Sequence, residues 1–134
     1  MKTTVILVGG LLLLSLAVWA QDDAEYQSWM KSNNANVASL RMNLTAKSGD
    51  AAAADAKKLQ DTFTQVHAYW QKKSVSDATQ FAMDAENGFK EVGQLAAAGK
   101  FDEASAALMK TQANCGGCHM AHREKAADGS WKMK

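Results

Sequence analysis

The sequence predicts an all-α protein, an antiparallel up-down-up-down four-helix bundle, on three observations. The chain of 134 residues contains no proline, the residue that helix interiors tolerate least. It is rich in alanine, the best helix former, and its apolar residues recur at the three- and four-residue spacing of a helix face. The polar breaks are only a few residues long, and short connections between long helices make neighbouring helices antiparallel.

Capping residues divide the chain after its first segment into four helices. The predicted helices cover residues 22–47, 51–73, 77–99 and 102–127. Gly49 offers a left-handed cap after the first helix, Asp50 can start the second, and Gly99 offers a cap after the third. Asp102 and Glu103 suit the N-terminus of the fourth helix. We expect residues 128–134 to be frayed.

Each predicted helix carries one apolar stripe that should face the core. In chain order the stripes are Tyr26, Met30, Val37 and Leu44; Leu59, Phe63, Val66 and Trp70; Phe81, Ala85, Val92 and Leu95; and Ala104, Leu108, Thr111, Cys115 and Cys118. The two cysteines of the fourth helix are therefore expected on its core side.

The N-terminus has the features of a secretory signal. Lys2 precedes an apolar run over residues 5–18, and Ala20 precedes the polar Gln21. This pattern predicts a signal peptide over residues 1–20, cleaved after Ala20, and one domain over residues 21–134. The alternative is an uncleaved anchor, although the run is shorter than the about 20 apolar residues of a membrane span.

Charge excludes some classes of partner. The full chain has a net charge of +1, and cleavage after Ala20 removes one basic side chain, Lys2, and no acidic one. The remaining domain has no net charge and no basic patch. We therefore expect it to bind neither nucleic acid nor, after signal cleavage, a membrane.

The only two cysteines lie in one short string, Cys115-Gly116-Gly117-Cys118-His119. C-x-x-C-H is the pattern that attaches a c-type haem. Residues three and four apart share a helix face, so both thiols and the imidazole point the same way. The string predicts one covalently bound haem, with the two cysteines in thioether bonds and His119 as the proximal axial ligand of the iron.

Three other interpretations of this string exist. Cys115, Cys118, His119 and His122 are possible zinc ligands, but one helix face does not easily surround an ion tetrahedrally. A thioredoxin-like dithiol needs a βαβ context, which is missing around residue 115. A disulfide would close only a tiny loop and stabilise little. Bacterial haem attachment takes place outside the cytoplasm, so the haem interpretation agrees with the signal peptide and predicts a periplasmic protein.

Met30 is the predicted distal axial ligand. In an antiparallel bundle the start of the first helix lies beside the end of the fourth, and Met30 and His119 are each eight residues from those predicted ends. A thioether is a soft ligand that suits haem iron. The alternative for Met30 is core filling in the distal pocket. Met42 is a weaker candidate because it lies off the stripe.

Other residues receive supporting roles. Trp70 and Phe81 are predicted as apolar walls of the haem pocket. His67, at the edge of its stripe, is predicted to be a polar edge residue rather than a ligand, and His122 is expected to contact a haem propionate or solvent.

The string Cys115-Gly-Gly-Cys118-His119-Met-Ala-His122-Arg123 is similar to the C-x-x-C-H-x-x-x-R pattern of the class II c-type cytochromes, the cytochrome c-prime family. Arg123 takes the arginine place, and the resemblance implies that it belongs to the haem pocket. Low-spin members place a methionine over the iron and carry electrons. High-spin members are five-coordinate and bind nitric oxide or carbon monoxide. Met30 makes this chain resemble the low-spin kind.

The chain departs from this family at one point. The family arginine just before the distal residue is absent, because Gln27 and Ser28 occupy that stretch. Arg41 lies three turns after Met30, and we expect it to be too distant to replace that arginine. Tyr26 and Trp29, next to Met30, are expected to close the pocket further.

These observations predict a periplasmic electron-transfer protein with one haem iron ligated by His119 and Met30. The alternative function is a five-coordinate protein that binds nitric oxide or carbon monoxide, and a third is a structural bundle without haem. No enzymatic activity is predicted, because no nucleophile and base pair stands out. The expected partners are periplasmic redox proteins, and the outer helix faces fit either a monomer or a homodimer.

Overall fold

The computed structural model describes residues 7–134, with side chains from residue 22 onward. It contains helices α1 (Leu7–Thr45), α2 (Gly49–Lys72), α3 (Ser76–Ala97) and α4 (Phe101–His122), then strands β1 (Arg123–Lys125) and β2 (Trp131–Met133). The predicted all-α four-helix bundle is confirmed, since α2 packs against α1 and α3, and α3 against α4. The predicted signal peptide lies partly outside the described residues and wholly before the first described side chain.

The three connections between helices each contain one residue with left-handed backbone. These residues are Lys47 (φ 55°), Ser74 (φ 58°) and Gly99 (φ 74°). Gly99 behaves as predicted, but the prediction for Gly49 is wrong, because it is the first residue of α2. A Cβ at Gly49 would lie 2.8 Å from the Ala96 carbonyl oxygen. Glycine is therefore needed there for the close approach of α3 and not for its backbone angles.

The core lies along the predicted stripes, with one shift on α3. The whole predicted stripe of α2 is buried, and so are Ala85 and Val92 of α3. Phe81 and Leu95 are only half-buried. Phe89, which the prediction omitted, is fully buried and is the largest such side chain in the described core. The core face of α3 is thus rotated away from Phe81 and Leu95 and toward Phe89.

The C-terminal region corrects the prediction of a longer helix and a frayed tail. α4 ends at His122, because Arg123 takes the extended conformation (φ −125°, ψ 138°). Arg123 then pairs with Met133 in an antiparallel hairpin. Asp128 accepts a hydrogen bond from the Ser130 N–H at 2.9 Å, and Gly129 has φ 83°. An Asp-Gly pair is a strong turn signal, and it explains the reversal.

Candidate functional site

A cavity of about 670 Å³ lies between α1 and α4. This volume is within the range of small-molecule and cofactor sites, roughly 300–1,000 Å³. Because the cavity separates the two helices, they make little direct contact. At its rim the Arg41 Nη2 donates a hydrogen bond to the Gln112 Oε1 at 2.8 Å, which joins α1 to α4.

The cavity brings together the residues that the sequence singled out. Cys115, Cys118 and His119 line it from α4, and Met30 lines it from α1. These side chains meet because α1 and α4 are antiparallel, so the first turns after residue 22 lie beside the end of α4. The structure thus places both predicted axial side chains on one cavity. Iron ligation by Met30 stays a prediction.

Both cysteines are free thiols that are half-buried. Burial raises the pKa of the Cys115 thiol to about 11. Burial, together with the nearby Cys115 and Asp77, raises the pKa of the Cys118 thiol to about 11 as well. Redox-active dithiols need at least one thiol with a lowered pKa. The thioredoxin-like interpretation therefore gains no support.

His119 is suited to bind a metal through a neutral ring. Burial lowers the pKa of its imidazole, and the charge of Arg123 lowers it further. A neutral imidazole keeps a free nitrogen lone pair at neutral pH.

The described part of the chain contains no group of three or more His, Cys, Asp or Glu side chains placed to hold a metal ion. The zinc interpretation needs His122 as one of four ligands. The His122 Nε2 lies 2.9 Å from the Asp77 Oδ2, so that nitrogen already has a partner. An iron inside a porphyrin needs only axial ligands from the protein.

Aromatic side chains form the apolar wall of the cavity. Trp70 lines it as predicted, and Tyr26 packs on Trp70 with a ring-centroid distance of 5.7 Å. Phe63 and Phe89 also line it, with their ring centroids 5.3 Å apart. Sequence reasoning missed Phe89, although its spacing from Ala85 and Val92 is helical.

Phe81 lies outside this lining, which corrects its predicted role as a pocket wall. Its ring packs against the C-x-x-C-H string of α4, where a Cβ on Gly117 would come within 2.8 Å of it. The reason is the rotation of α3, which turns Phe89 toward the cavity instead. Phe81 therefore supports α4 from the side away from the cavity.

The charged residues on the cavity are all basic. Lys31, Arg41 and Arg123 line it, and no Asp or Glu is among its described lining residues. Arg41 was expected to be too distant from Met30 to replace the family arginine, and that stays a prediction. It reaches the cavity because the cavity extends along α1 from Tyr26 to Arg41, about 22 Å at 1.5 Å per residue. This lining favours an anionic ligand.

Unpaired polar atoms are concentrated on the same cavity. In the described part of the chain, the buried side-chain nitrogen and oxygen atoms without a hydrogen-bond partner belong to Asn33, Trp70 and Arg123. All three residues line the cavity. Buried polar atoms are paired in most native structures. Their concentration here leaves hydrogen-bonding atoms of the cavity free to contact a bound group.

The two other histidines have separate partners. His122 lines the cavity, where its ring lies 5.2 Å from that of Trp70. His67 lies away from the cavity, with its Nδ1 3.5 Å from the Glu86 Oε2. This position agrees with its interpretation as a polar edge residue.

The C-terminal hairpin supplies one end of the cavity, which sequence reasoning did not anticipate. Ser130, Trp131 and Met133 line it. The Arg123 guanidinium lies 3.9 Å from the centroid of the Trp131 ring, which holds the hairpin against α4. The Asp-Gly pair at residues 128–129 was the signal for this element.

No helix in the described part of the chain is long and apolar enough to cross a membrane. No protein-family model, curated protein or solved structure matches this chain, so the functional conclusion depends on the residues of that cavity.

Proposed function

We propose that this chain is a periplasmic c-type cytochrome of the class II kind, which carries electrons on one covalently bound haem. The observation that supports this most is the shared cavity, because it sets two thiols and an imidazole on α4 against a thioether on α1. Two cysteines and a histidine in C-x-x-C-H spacing are the donor set for a c-type haem.

Three further properties of the cavity fit a haem. Its volume, about 670 Å³, is in the range of cofactor sites. Its aromatic wall suits a flat apolar ring. Its basic residues suit the two carboxylates of the haem, and the unpaired Arg123 Nε is available to one of them.

Four residues would hold the haem. Cys115 and Cys118 would bind it covalently, and His119 and Met30 would occupy the axial positions. A haem bound here supplies an iron that takes up and returns one electron at a time. Tyr26 and Trp70 limit the access of water and keep the ligands in place. We assign no enzymatic activity to the chain.

The proposed location and partners follow from the sequence. The signal-like residues 1–20 and the haem motif both favour the periplasm. Redox encounters are small and transient, so we expect redox proteins to dock briefly and without a large apolar interface. Both a monomer and a homodimer fit this role.

The visible absorption spectrum of the haem-loaded protein, oxidised and reduced, tests the proposal. We expect a low-spin spectrum in both states that carbon monoxide does not change. Met30→Ala should become high-spin and bind carbon monoxide. Met42→Ala is the control, because Met42 lies on the same helix, is 67% exposed and is outside the cavity lining. Its spectrum should equal that of the unmodified protein.

Two outcomes would contradict this proposal in different ways. A high-spin ferrous form that binds carbon monoxide in the unmodified protein would exclude Met30 ligation and favour the five-coordinate, gas-binding alternative. A colourless protein, purified from a host with haem-attachment machinery, would exclude the haem itself.

A further inference from the structure

Asn33 is the buried polar side chain on the cavity that lacks any partner. It is 6% exposed, and neither its Nδ2 nor its Oδ1 has a hydrogen bond. It lines the cavity from α1, as does Met30. A buried amide in this state lowers stability, so its presence calls for a bound partner.

The other buried polar side chains in the described part of the chain are Asp55 and Thr111, and both are satisfied within the protein. Asp55 accepts hydrogen bonds from the Ser39 Oγ at 2.5 Å and the Asn43 Nδ2 at 2.8 Å. The Thr111 Oγ1 donates to the Ala107 carbonyl oxygen at 2.8 Å. The unpaired state of Asn33 is therefore particular to the cavity.

The helix places Asn33 next to Met30. Residues three apart share a helix face, so the two side chains belong to the same side of α1. Helical side chains lean toward the N-terminus, which brings the Asn33 amide over the turn that carries Met30. His119 lies on the facing helix, α4.

We infer that the Asn33 amide donates a hydrogen bond to the ligand atom at the sixth coordination position of the haem iron. This inference rests on the proposed haem function. Asn33 makes no hydrogen bond to the Met30 sulfur in the structure without haem; with Met30 on the iron, that sulfur, a weak acceptor, would come within reach of the amide. When an anionic ligand takes that position, its outer atom is the acceptor. Hydrogen-bond donors on this side of a haem help to decide which ligands it binds.

The first test measures the reduction potential of the haem-loaded Asn33→Leu protein. Leucine has a similar shape and removes the amide, and a shape-matched apolar replacement of an unpaired polar group does not destabilise a fold. The positive end of the amide dipole favours the electron-richer ferrous iron. We therefore expect a lower reduction potential in Asn33→Leu. The control is Asn87→Leu, which replaces an exposed amide on α3 outside the cavity lining and should leave the potential unchanged.

The second test opens the sixth position with Met30→Ala and compares two ligands. Cyanide is an anion whose outer nitrogen accepts hydrogen bonds, whereas the oxygen of carbon monoxide is a poor acceptor. Adding Asn33→Leu should weaken cyanide binding to the ferric protein about five- to tenfold, the usual worth of one such hydrogen bond. Carbon monoxide binding to the ferrous protein should change less than about twofold.

The inference is overturned if either the potential or the cyanide affinity of the haem-loaded protein is unaffected by Asn33→Leu, or if Asn87→Leu causes the same changes. A protein that carries no haem overturns the proposed function, and this inference with it. The spectrum of the unmodified protein, recorded first, separates these two failures.

Discussion

Asp55 shows how a single buried carboxylate can be held in its charged form. Burial opposes its charge, but hydrogen bonds from Ser39, Asn43 and Lys58 outweigh that effect and lower the pKa of the carboxyl below its ordinary value. Ser39 and Asn43 belong to α1, whereas Asp55 belongs to α2. The cluster therefore fixes the register between these two helices.

We expect Asp55→Asn to lower the free energy of unfolding by about 2 kcal/mol at pH 7, because the amide replaces a charged acceptor of several hydrogen bonds. The pKa of Asp55 is lowered in the folded state, so the stability from its charge is fully present above the ordinary value of 3.8. That stability is lost as the pH falls through the lower folded value. The difference between the two proteins should therefore shrink below about pH 4.

Urea denaturation at pH 7, 5 and 3 measures this difference. Asp61→Asn is the control on the same helix, because Asp61 is 56% exposed and pairs only with Lys57. Asp61→Asn should change the free energy of unfolding by no more than about 0.5 kcal/mol at every pH. A difference for Asp55→Asn that does not change with pH would contradict the role of its charge.

At this scale the sequence predicted those cavity residues whose position follows from a local pattern. The spacing of the C-x-x-C-H string alone predicts Cys115, Cys118 and His119. The prediction of Met30 needs both its spacing and the antiparallel arrangement of the bundle. The positions of Asn33 and Arg41 on the cavity could not be predicted this way. Their importance depends on how far α1 stands from α4, and no pattern within one helix encodes that distance.

Among the elements, α4 contains two adjacent glycines with opposite surroundings. A Cβ on Gly117 would meet the Phe81 ring at 2.8 Å, whereas a Cβ on Gly116 would meet nothing within 4 Å. The close contact at Gly117 sets the distance between α3 and α4 beneath the cavity. The two glycines between Cys115 and Cys118 therefore differ in how closely α3 packs against them.

We expect Gly116→Ala to raise the free energy of unfolding by up to about 1 kcal/mol, because alanine favours the helix. Gly117→Ala should lower it by about 1–3 kcal/mol, because the aromatic ring and α3 must move. Thermal unfolding of both variants measures these two changes. Equal shifts in the two variants would contradict the proposed contact between α3 and α4.

The elements also show where helical periodicity misleads. The sequence around residues 123–127 continues a helical composition, so a longer α4 was expected. The hairpin forms because Asp128 and Gly129 build a turn and Trp131 packs on Arg123. That packing is a tertiary contact, and it overrides the local preference.

For the whole molecule, fold class and helix order were predictable because short connections leave few arrangements for four amphipathic helices. The rotation of α3 and the width of the cavity were not predictable from the sequence. They depend on close contacts such as Gly88 against Thr111, where a Cβ would lie 2.2 Å from the Thr111 Oγ1. Such contacts arise only after the helices meet.

The packing of the four helices is uneven, which leads to a prediction about their motion. The contact between α2 and α3 is the most extensive, and α1 packs mainly on α2 because the cavity lies along its other side. Helices with fewer packed neighbours open at a lower free energy. In a haem-free Cys115→Ala, Cys118→Ala protein we expect α1 amides to exchange hydrogen faster than those of α2 and α3. Equal rates in the three helices, measured by mass spectrometry, would contradict this expectation.

The cavity between α1 and α4 also has a consequence for the way in which the proposed haem would enter. We expect an outward movement of α1 to leave the thiols in place, because α4 packs on α3 and makes little contact with α1. Covalent capture on α4 and enclosure by α1 would then be two separate events. A haem-attachment enzyme would need access to only one open side of a three-helix intermediate, and α1 would close over the product afterwards.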